Sequence, residues 1–263
     1  MNILFISADQ WRGECLSTLN HPIVKTPHLD ALIEDGVCFS RHFCQSAPCG
    51  PSRTSMLTGL YAMNHRSILN GTPLDNRHTN IAREVRKLGY DPTLFGYTDT
   101  SADPREFPAR DPILTSYENV MPGFSIGMQY AFQVPLAWIA YLKSRNYALP
   151  DLPFDTYLGQ ADYPGAGERG HAFAAPVYRA EDSDTAFTAD KTIEWLQLHR
   201  GQPWFAHSVF LRPHPPLFAP EPYNNLYSPT DIPMPARKAS AQDEYPQHPF
   251  LAYWLKKQAV PGF

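Results

Sequence analysis

A chain of 263 residues, with 43% hydrophobic and 18% charged residues, has the composition of a globular protein large enough to bury a sizeable core. Its formal net charge of −4 excludes the general basic field of nucleic-acid-binding proteins. We find no apolar stretch of membrane-spanning length and no signal-peptide features at the start, so we expect a cytoplasmic protein that binds neither nucleic acid nor membrane.

The cysteines favour a reducing compartment. All four lie in the first 49 residues, and no two form a Cys-x-x-Cys pair: Cys15, Cys38, Cys44 and Cys49. A disulfide framework would be spread more widely along the chain, and a zinc site would show closer pairing. Proline is abundant, with 27 residues mostly after residue 91, which predicts that the later part of the chain is rich in loops.

The first elements alternate between strand and helix patterns. Residues 2–8 are apolar and predict a buried strand that ends at Asp9-Gln10. Residues 26–36 predict a helix that starts at a Thr-Pro pair and ends at a glycine. Residues 37–43 are a second strand candidate.

The middle of the chain continues this alternation. A helix is predicted from Cys49 to the glycine cap at Gly59, with Met56 and Leu57 facing inward. Residues 79–88 form the next helix, and residues 92–97 form a strand.

The later part is less regular. Residues 98–180 predict a long, loop-rich excursion that is either a lid over the active-site side or a surface loop without a role, with one helix candidate at 132–143. A capped helix at 183–199 and a strand at 203–211 follow, and a short helix is predicted near 249–258. The order of elements predicts one α/β domain with helices on the faces of a mostly parallel sheet.

Reactive side chains follow three of the predicted strands: Asp9-Gln10, Tyr97-Thr98-Asp99 and His214. Sites in open α/β sheets gather beyond the carboxyl ends of the strands. Cys49 starts a helix, where free N–H groups and the helix dipole stabilise an adjacent anion. Arg53 follows one turn later on the same face.

The segment Cys49-Gly50-Pro51-Ser52-Arg53, with Thr58-Gly59 at the helix end, resembles the signature of the type I sulfatase family in the alkaline phosphatase superfamily. Further stretches are similar to its phosphonate monoester hydrolase branch, among them Asp9-Gln10-Trp11-Arg12 and Arg212-Pro213-His214-Pro215-Pro216. The resemblance implies an alkaline-phosphatase-like α/β fold. It also implies that a maturation enzyme, the formylglycine-generating enzyme, oxidises Cys49 to formylglycine.

The resemblance also implies the roles of individual residues. Cys49, Arg53 and His214 are expected to be catalytic, and Asn70 and Tyr97 to bind the substrate. Asp9 and Gln10, together with the modified residue 49, are expected to hold a divalent metal, Ca²⁺ or Mn²⁺. The implied reaction is hydrolysis of a small sulfuric, phosphonate or phosphate ester, in which His214 protonates the leaving oxygen.

Three departures from the family pattern affect these expectations. Sulfatases carry Gly-Lys where this chain has Gly96-Tyr97, which favours phosphonate and phosphate diesters over sulfates. The hydrolase branch is expected to carry threonine where this chain has Asp99, so the role of Asp99 is open. The family also takes two metal ligands from a later Asp-His pair, and the sequence contains no Asp-His dipeptide.

The chain therefore resembles a C-terminally truncated, N-terminal portion of a sulfatase-type catalytic domain. A divalent ion held by one carboxylate and one amide is weakly bound, so we expect low metal affinity and little activity from this chain alone. Two alternatives remain open, an inactive sulfatase-like fragment and a hydrolase that uses the unmodified Cys49 thiol. Oligomers are compatible with the sequence.

Overall fold

The computed structural model describes residues 1–234 and 236–257, which fall into two compact units that divide after Leu226. The strands of the larger unit are β1 (Ile3–Ala8), β2 (Pro92–Gly96), β3 (Ser125–Gln129) and β4 (Phe205–Phe210). Its helices are α1 (Pro27–Asp35), α2 (Cys49–Thr58), α3 (Ala62–His65), α4 (Ile81–Lys87), α5 (Leu136–Ser144), α6 (Ala166–Arg169) and α7 (Asp184–Leu198). Its single 3-10 turns are Ser17–Leu19, Pro112–Thr115, Pro153–Tyr157, His171–Phe173, Ala180–Asp182 and Tyr223–Asn225.

The smaller unit contains helices α8 (Ala241–Glu244) and α9 (Pro249–Lys257), with 3-10 turns at Pro229–Asp231 and Tyr245–Gln247. The hydroxyl of Ser240 caps α8 by accepting a hydrogen bond from the backbone N–H of Asp243. The end of the predicted helix at residue 258 lies outside the described residues.

The four strands form one parallel sheet in the order β1-β4-β2-β3. The three strands predicted at 2–8, 92–97 and 203–211 are confirmed, and the predicted mostly parallel sheet is confirmed with them. Strand β3 was not predicted, because it lies inside the irregular 98–180 segment and has a Ser-Ile-Gly-Met-Gln sequence without a clear period.

The two faces of the sheet carry separate apolar clusters. Ala206 on β4 packs into a cluster with Trp138 of α5 and Phe187 of α7, whereas its neighbour His207 stacks on Phe5 of β1. Phe5 packs against the second cluster, which contains Leu57 of α2. Successive side chains of a strand point to opposite faces, so α5 and α7 cover one face and α2 covers the other, as predicted.

The helices predicted from the sequence are confirmed as α1, α2, α4, α5, α7 and α9, with ends that shift by a few residues. Ser183 caps α7 through a hydrogen bond from the backbone N–H of Ala186, and Gly59 ends α2 with a left-handed φ of 70°. Within the described residues no helix has the length and apolar character needed to cross a membrane.

The strand predicted at residues 37–43 is wrong. Val37 and Phe39 are 80% and 76% exposed, and the segment has no regular strand. A strand needs a neighbour, and no described strand pairs with the free edge of β1.

Two burial predictions also fail. Strand β1 is an edge strand with alternating exposure, in which Leu4 and Ile6 point outward, so the predicted full burial is wrong. On α2, Leu57 is buried as predicted, but Met56 is exposed because one helical step of about 100° turns it away from the sheet.

Candidate active site

The carboxyl ends of β1, β4 and β2 lie side by side, because these three parallel strands are neighbours in the sheet. Asp9 follows β1, Tyr97 to Asp99 follow β2, and His214 follows β4 by a short turn. The expectation that these residues share one edge of the sheet is therefore met by the topology.

Helix α2 brings Cys49 to this edge as its first residue. The side chain of Asn70 holds this helix start in two ways: its Nδ2 donates to Cys49 Sγ (3.1 Å), and its Oδ1 accepts from the backbone N–H of Gly50 (2.9 Å). A Cβ at position 50 would lie 2.9 Å from Asn70 Oδ1. Glycine at this position therefore permits the close approach of Asn70.

The guanidinium of Arg53 connects the ends of β1 and β2. It donates to Asp9 Oδ2 (3.1 Å) and to the backbone carbonyl of Tyr97 (2.7 Å), and its Nε lies 3.2 Å from Asp99 Oδ2. The guanidinium also lies 4.5 Å above the centre of the Tyr97 ring. The Arg53 side chain is only 9% exposed, and its N–H groups are directed at protein groups. Arg53 therefore links the residues of the site to one another.

Three groups converge above Arg53. Ligand atoms of Asp9, Cys49 and Asp99 all lie within 4.8 Å of one another. The Asp99 side chain is 2% exposed, and its Oδ2 has no hydrogen-bond partner with adequate geometry among the described residues. Two carboxylates against one guanidinium leave the cluster one negative charge in excess when both are ionised. The donor set and the unpartnered oxygen fit a divalent cation.

Burial and charge determine the protonation of this cluster. Burial raises the pKa of the Cys49 thiol to about 11, the charge of Asp99 adds to the rise, and the hydrogen bond from Asn70 opposes it. Burial also raises the pKa of the Asp99 carboxyl, against the opposing charge of Arg53. The site therefore favours a neutral thiol at position 49.

Unusual backbone conformations occur at two of these residues. Gln10 and Asp99 have φ angles of 59° and 52°, in the left-handed region that few residues other than glycine adopt. Such conformations concentrate at functional sites, where the surrounding structure enforces them. The side chain of Gln10 is exposed at the same strand end as Asp9.

His214 reaches this edge of the sheet without touching the cluster, as far as the described residues show. Its Nδ1 lies 2.7 Å from the carbonyl oxygen of Pro215, and its ring packs edge-on against Phe132. Its charge is nevertheless close enough to lower the pKa of Asp99, a minor effect beside burial. A cavity of about 780 Å³ opens beside His214, and its lining combines apolar residues with polar ones, among them Glu181 and the Asp184–Arg212 ion pair.

The structure thus brings together Asp9, Cys49, Arg53, Asn70 and Tyr97. Tyr97 is buried, with its hydroxyl 3.5 Å from Asp9 Oδ2, and burial raises its pKa well above the usual range. Sequence reasoning left the role of Asp99 open. Its position two residues after Tyr97, close to the end of a strand, was the sequence feature that could have indicated its place in the cluster.

The parallel sheet, with helices on both faces and with Cys49 at a helix N-terminus beside two carboxylates at its carboxyl edge, is an alkaline-phosphatase-like α/β fold. The sequence pattern of the Sulfatase family matches residues 1–248. The chain belongs to the sulfatase family.

Similar proteins lie in the phosphonate monoester hydrolase branch. The structures of the phosphonate monoester hydrolases of Agrobacterium radiobacter and Silicibacter pomeroyi are 48% and 46% identical, with TM-scores of 0.89 and 0.90. They cover 97% and 100% of this chain. The multifunctional alkaline phosphatase superfamily protein PehA of Trinickia caryophylli is 38% identical over 97% of the chain. An arylsulfatase of Clostridium perfringens is 26% identical over 89% of it. The chain spans 47–52% of the length of these relatives.

Proposed function

We propose that this chain supplies the nucleophile-bearing part of the active site of a metal-assisted, formylglycine-dependent hydrolase that acts on anionic phosphonate, phosphate or sulfate esters. The observation that carries the proposal is the position of Cys49. It starts α2, is held by Asn70, and lies with Asp9 and Asp99 in a cluster no wider than 4.8 Å.

The cluster suits the two groups that this chemistry requires. Formylglycine supplies a hydroxyl nucleophile, and a divalent cation, Ca²⁺ or Mn²⁺, neutralises the anionic ester. Asp9, Gln10 and residue 49 would hold the cation. The oxygen donors of Asp9 and Gln10 are the type that hard cations prefer.

The chain's own residues have separate tasks in this proposal. Asn70 orients residue 49 through its hydrogen bond to the side chain. Arg53 fixes Asp9 and the Tyr97 backbone relative to α2. In its doubly protonated form, His214 can give a proton to the leaving oxygen through Nε2 while its Nδ1–H faces the Pro215 carbonyl oxygen at hydrogen-bond distance.

The surroundings of Cys49 argue against a thiol-dependent hydrolase. With the pKa at about 11, on the order of one Cys49 side chain in 10,000 is a thiolate at pH 7. Cysteine nucleophiles instead occur in electropositive surroundings that lower their pKa. The Asp99 carboxylate beside Cys49 instead makes the surroundings more negative, which disfavours the thiolate.

Tyr97 and the similar proteins support a proposal for the substrate class. Tyr97, which follows β2 where sulfatases carry a lysine, supplies no positive charge for a sulfate group. The two similar structures described above are phosphonate monoester hydrolases. We therefore favour phosphonate monoesters and phosphate diesters over sulfates.

A cytoplasmic location agrees with four cysteines that are free in the structure.

The test begins with co-expression of the chain with a formylglycine-generating enzyme. Intact mass and peptide mapping should show conversion of the thiol to an aldehyde at residue 49. The Cys49→Ala control should abolish this conversion, and the Cys44→Ser control should leave it unchanged. Turnover of aryl phosphonate, phosphodiester and sulfate esters is then measured with added Ca²⁺ or Mn²⁺. An unconverted Cys49 would contradict the proposal.

A further inference from the structure

Asp99 is a buried carboxylate in contact with the candidate site. It follows β2 by three residues, and its side chain is 2% exposed. Arg53 Nε forms an ion pair with its Oδ2 at 3.2 Å, and the Cys49 thiol interacts with the same carboxyl group, but Oδ2 accepts no hydrogen bond of adequate geometry among the described residues. A buried carboxylate oxygen without a well-formed hydrogen bond is costly, which indicates room for a further partner.

Arg53 does not fully neutralise its two acidic neighbours. Its hydrogen bonds go to Asp9 and to the Tyr97 carbonyl, so its single positive charge is shared between Asp9 and Asp99. Both recorded hydrogen bonds to the Asp9 carboxylate, from Arg53 and from Tyr97, use Oδ2. A cation can therefore approach through Asp9 Oδ1 without displacing Arg53.

The spacing of the cluster fits one ion. Calcium lies about 2.3–2.6 Å from each oxygen ligand, so ligands on opposite sides of the ion are about 5 Å apart. The ligand atoms of Asp9, Cys49 and Asp99 lie within 4.8 Å of one another. One cation at their centre can reach all three residues without a change of backbone.

We infer that Asp99 is a direct ligand of the divalent cation in this protein, as a second carboxylate beside Asp9. The inference rests on the proposed function, because that function places a cation at Asp9 and residue 49. A second carboxylate strengthens a site that otherwise has one acidic and one amide ligand, since affinity for hard cations rises with the number of charged ligands.

The backbone at Asp99 determines which substitution tests this role cleanly. Its φ of 52° lies in the left-handed region, which asparagine and aspartate tolerate and β-branched residues do not. Asp99→Asn therefore removes the charge and keeps the shape, whereas Asp99→Thr would add backbone strain.

The experiment titrates the whole purified chain, with unmodified Cys49 and no substrate, with Tb³⁺ as a luminescent substitute for Ca²⁺. Tyr97 lies close enough to Asp9 to sensitise the emission. Calcium competition gives the affinity, and emission lifetimes in H₂O and D₂O give the number of water molecules on the ion. The variants are Asp99→Asn, Asp99→Gly, Asp9→Asn and Asp182→Asn. Asp182 is an equally buried acid that binds tyrosine hydroxyls outside the cluster.

A direct ligand predicts that Asp99→Asn weakens binding about tenfold or more through the lost charge, and that Asp99→Gly, which has no side-chain oxygen, also adds water to the ion, while Asp182→Asn changes neither. Weaker binding with an unchanged water count in Asp99→Gly would mean that Asp99 acts only through its charge, and would overturn the inference. Unchanged binding in Asp99→Asn, or no specific binding to the parent chain, would also overturn it. Because no turnover or aldehyde is needed, failure here is distinct from failure of the proposed hydrolase function.

Discussion

Arg53 Nη2 lies 3.1 Å from Asp9 Oδ2, and the side chains of the two residues are 9% and 8% exposed. This buried ion pair joins the start of α2 to the end of β1, two segments 44 residues apart in the sequence. Removing the Arg53 guanidinium would leave Asp9 and Asp99 as neighbouring buried carboxylates with no positive charge beside them. Breaking a buried pair in this way costs far more than losing an exposed one.

We therefore expect Arg53→Ala to lower the free energy of unfolding by about 3–5 kcal/mol, measured by urea denaturation. Lys191→Ala is the matched control, because its ion pair with Glu194 is largely exposed and is worth at most about 1 kcal/mol. Equal effects of the two substitutions would show that the Arg53 network does not support the fold.

Gly96 precedes Tyr97 at the end of β2 and provides a second test. Its φ is 123°, and a Cβ there would lie 2.8 Å from Val209 Cβ on the neighbouring strand. We expect Gly96→Ala to cost about 1–3 kcal/mol of stability through backbone strain and the clash. Gly201→Ala, where a Cβ meets no atom within 4 Å, should be close to neutral.

The double variant Gly96→Ala/Val209→Gly separates the Cβ contact from the other causes of this loss. Its coupling energy in a denaturation cycle should show partial relief, because glycine at 209 removes the Cβ contact and leaves both the close approach to the Val209 carbonyl oxygen at 2.9 Å and the strained φ. A simple sum of the two single effects would mean that the Cβ contact does not contribute to the loss.

The pH dependence of Cys49 alkylation tests the electrostatics of the site. In a variant with serine at positions 15, 38 and 44, the rate should rise with pH towards a midpoint near 11, because burial and Asp99 disfavour the thiolate. Asp99→Asn should lower this pKa, and Asn70→Ala should raise it, since the Asn70 hydrogen bond lowers it. Shifts in the opposite directions would contradict this account of the cluster.

The same pKa has a consequence for stability. The thiol pKa is higher in the folded protein than the 9.0 of an exposed cysteine, so the unfolded chain releases its proton first as pH rises. The contribution of Cys49 to stability is complete below pH 9 and is lost as pH rises from 9 towards 11. Urea denaturation of the parent and Cys49→Ala chains over this interval should show the difference between them shrink.

The sequence predicted the elements that carry strong local signals. The apolar run before Asp9 and the Gly59 cap each define an element without help from the rest of the chain. Strand β3 was missed because its residues acquire strand character only by pairing with β2. The 37–43 segment was wrongly predicted as a strand because an apolar run alone does not supply a neighbouring edge.

The site shows the same division between local and tertiary information. The motif predicted that Cys49 and Arg53 lie on one helix. The predicted strand ends indicated that Asp9 and Tyr97 lie at the same edge of the sheet. No local pattern could show that Arg53 contacts Asp9, Asp99 and Tyr97 together, because those contacts depend on the order β1-β4-β2. The two carboxylates near Cys49, and the resulting rise of its pKa, are likewise tertiary properties.

His207 in the middle of β4 makes the fold sensitive to acid. Its ring is 1% exposed, stacks on Phe5 at 4.4 Å and contacts the Ser7 hydroxyl at 3.2 Å, while its Nδ1 has no hydrogen-bond partner among the described residues. Burial, with a smaller effect of the Arg53 charge, lowers its pKa to about 3. The folded protein therefore keeps this ring neutral over a range in which the unfolded chain protonates it.

Because the unfolded chain binds this proton below pH 6.5, the stability due to neutral His207 is present above pH 6.5 and is lost as pH falls towards 3. The loss approaches about 1.4 kcal/mol per pH unit. The parent chain should lose more stability than His207→Phe between pH 6.5 and 5, as measured by urea denaturation at each pH. His42→Phe, at an exposed histidine, should follow the parent. Parallel pH profiles for the parent and His207→Phe would mean that the buried ring is not the acid-sensitive group.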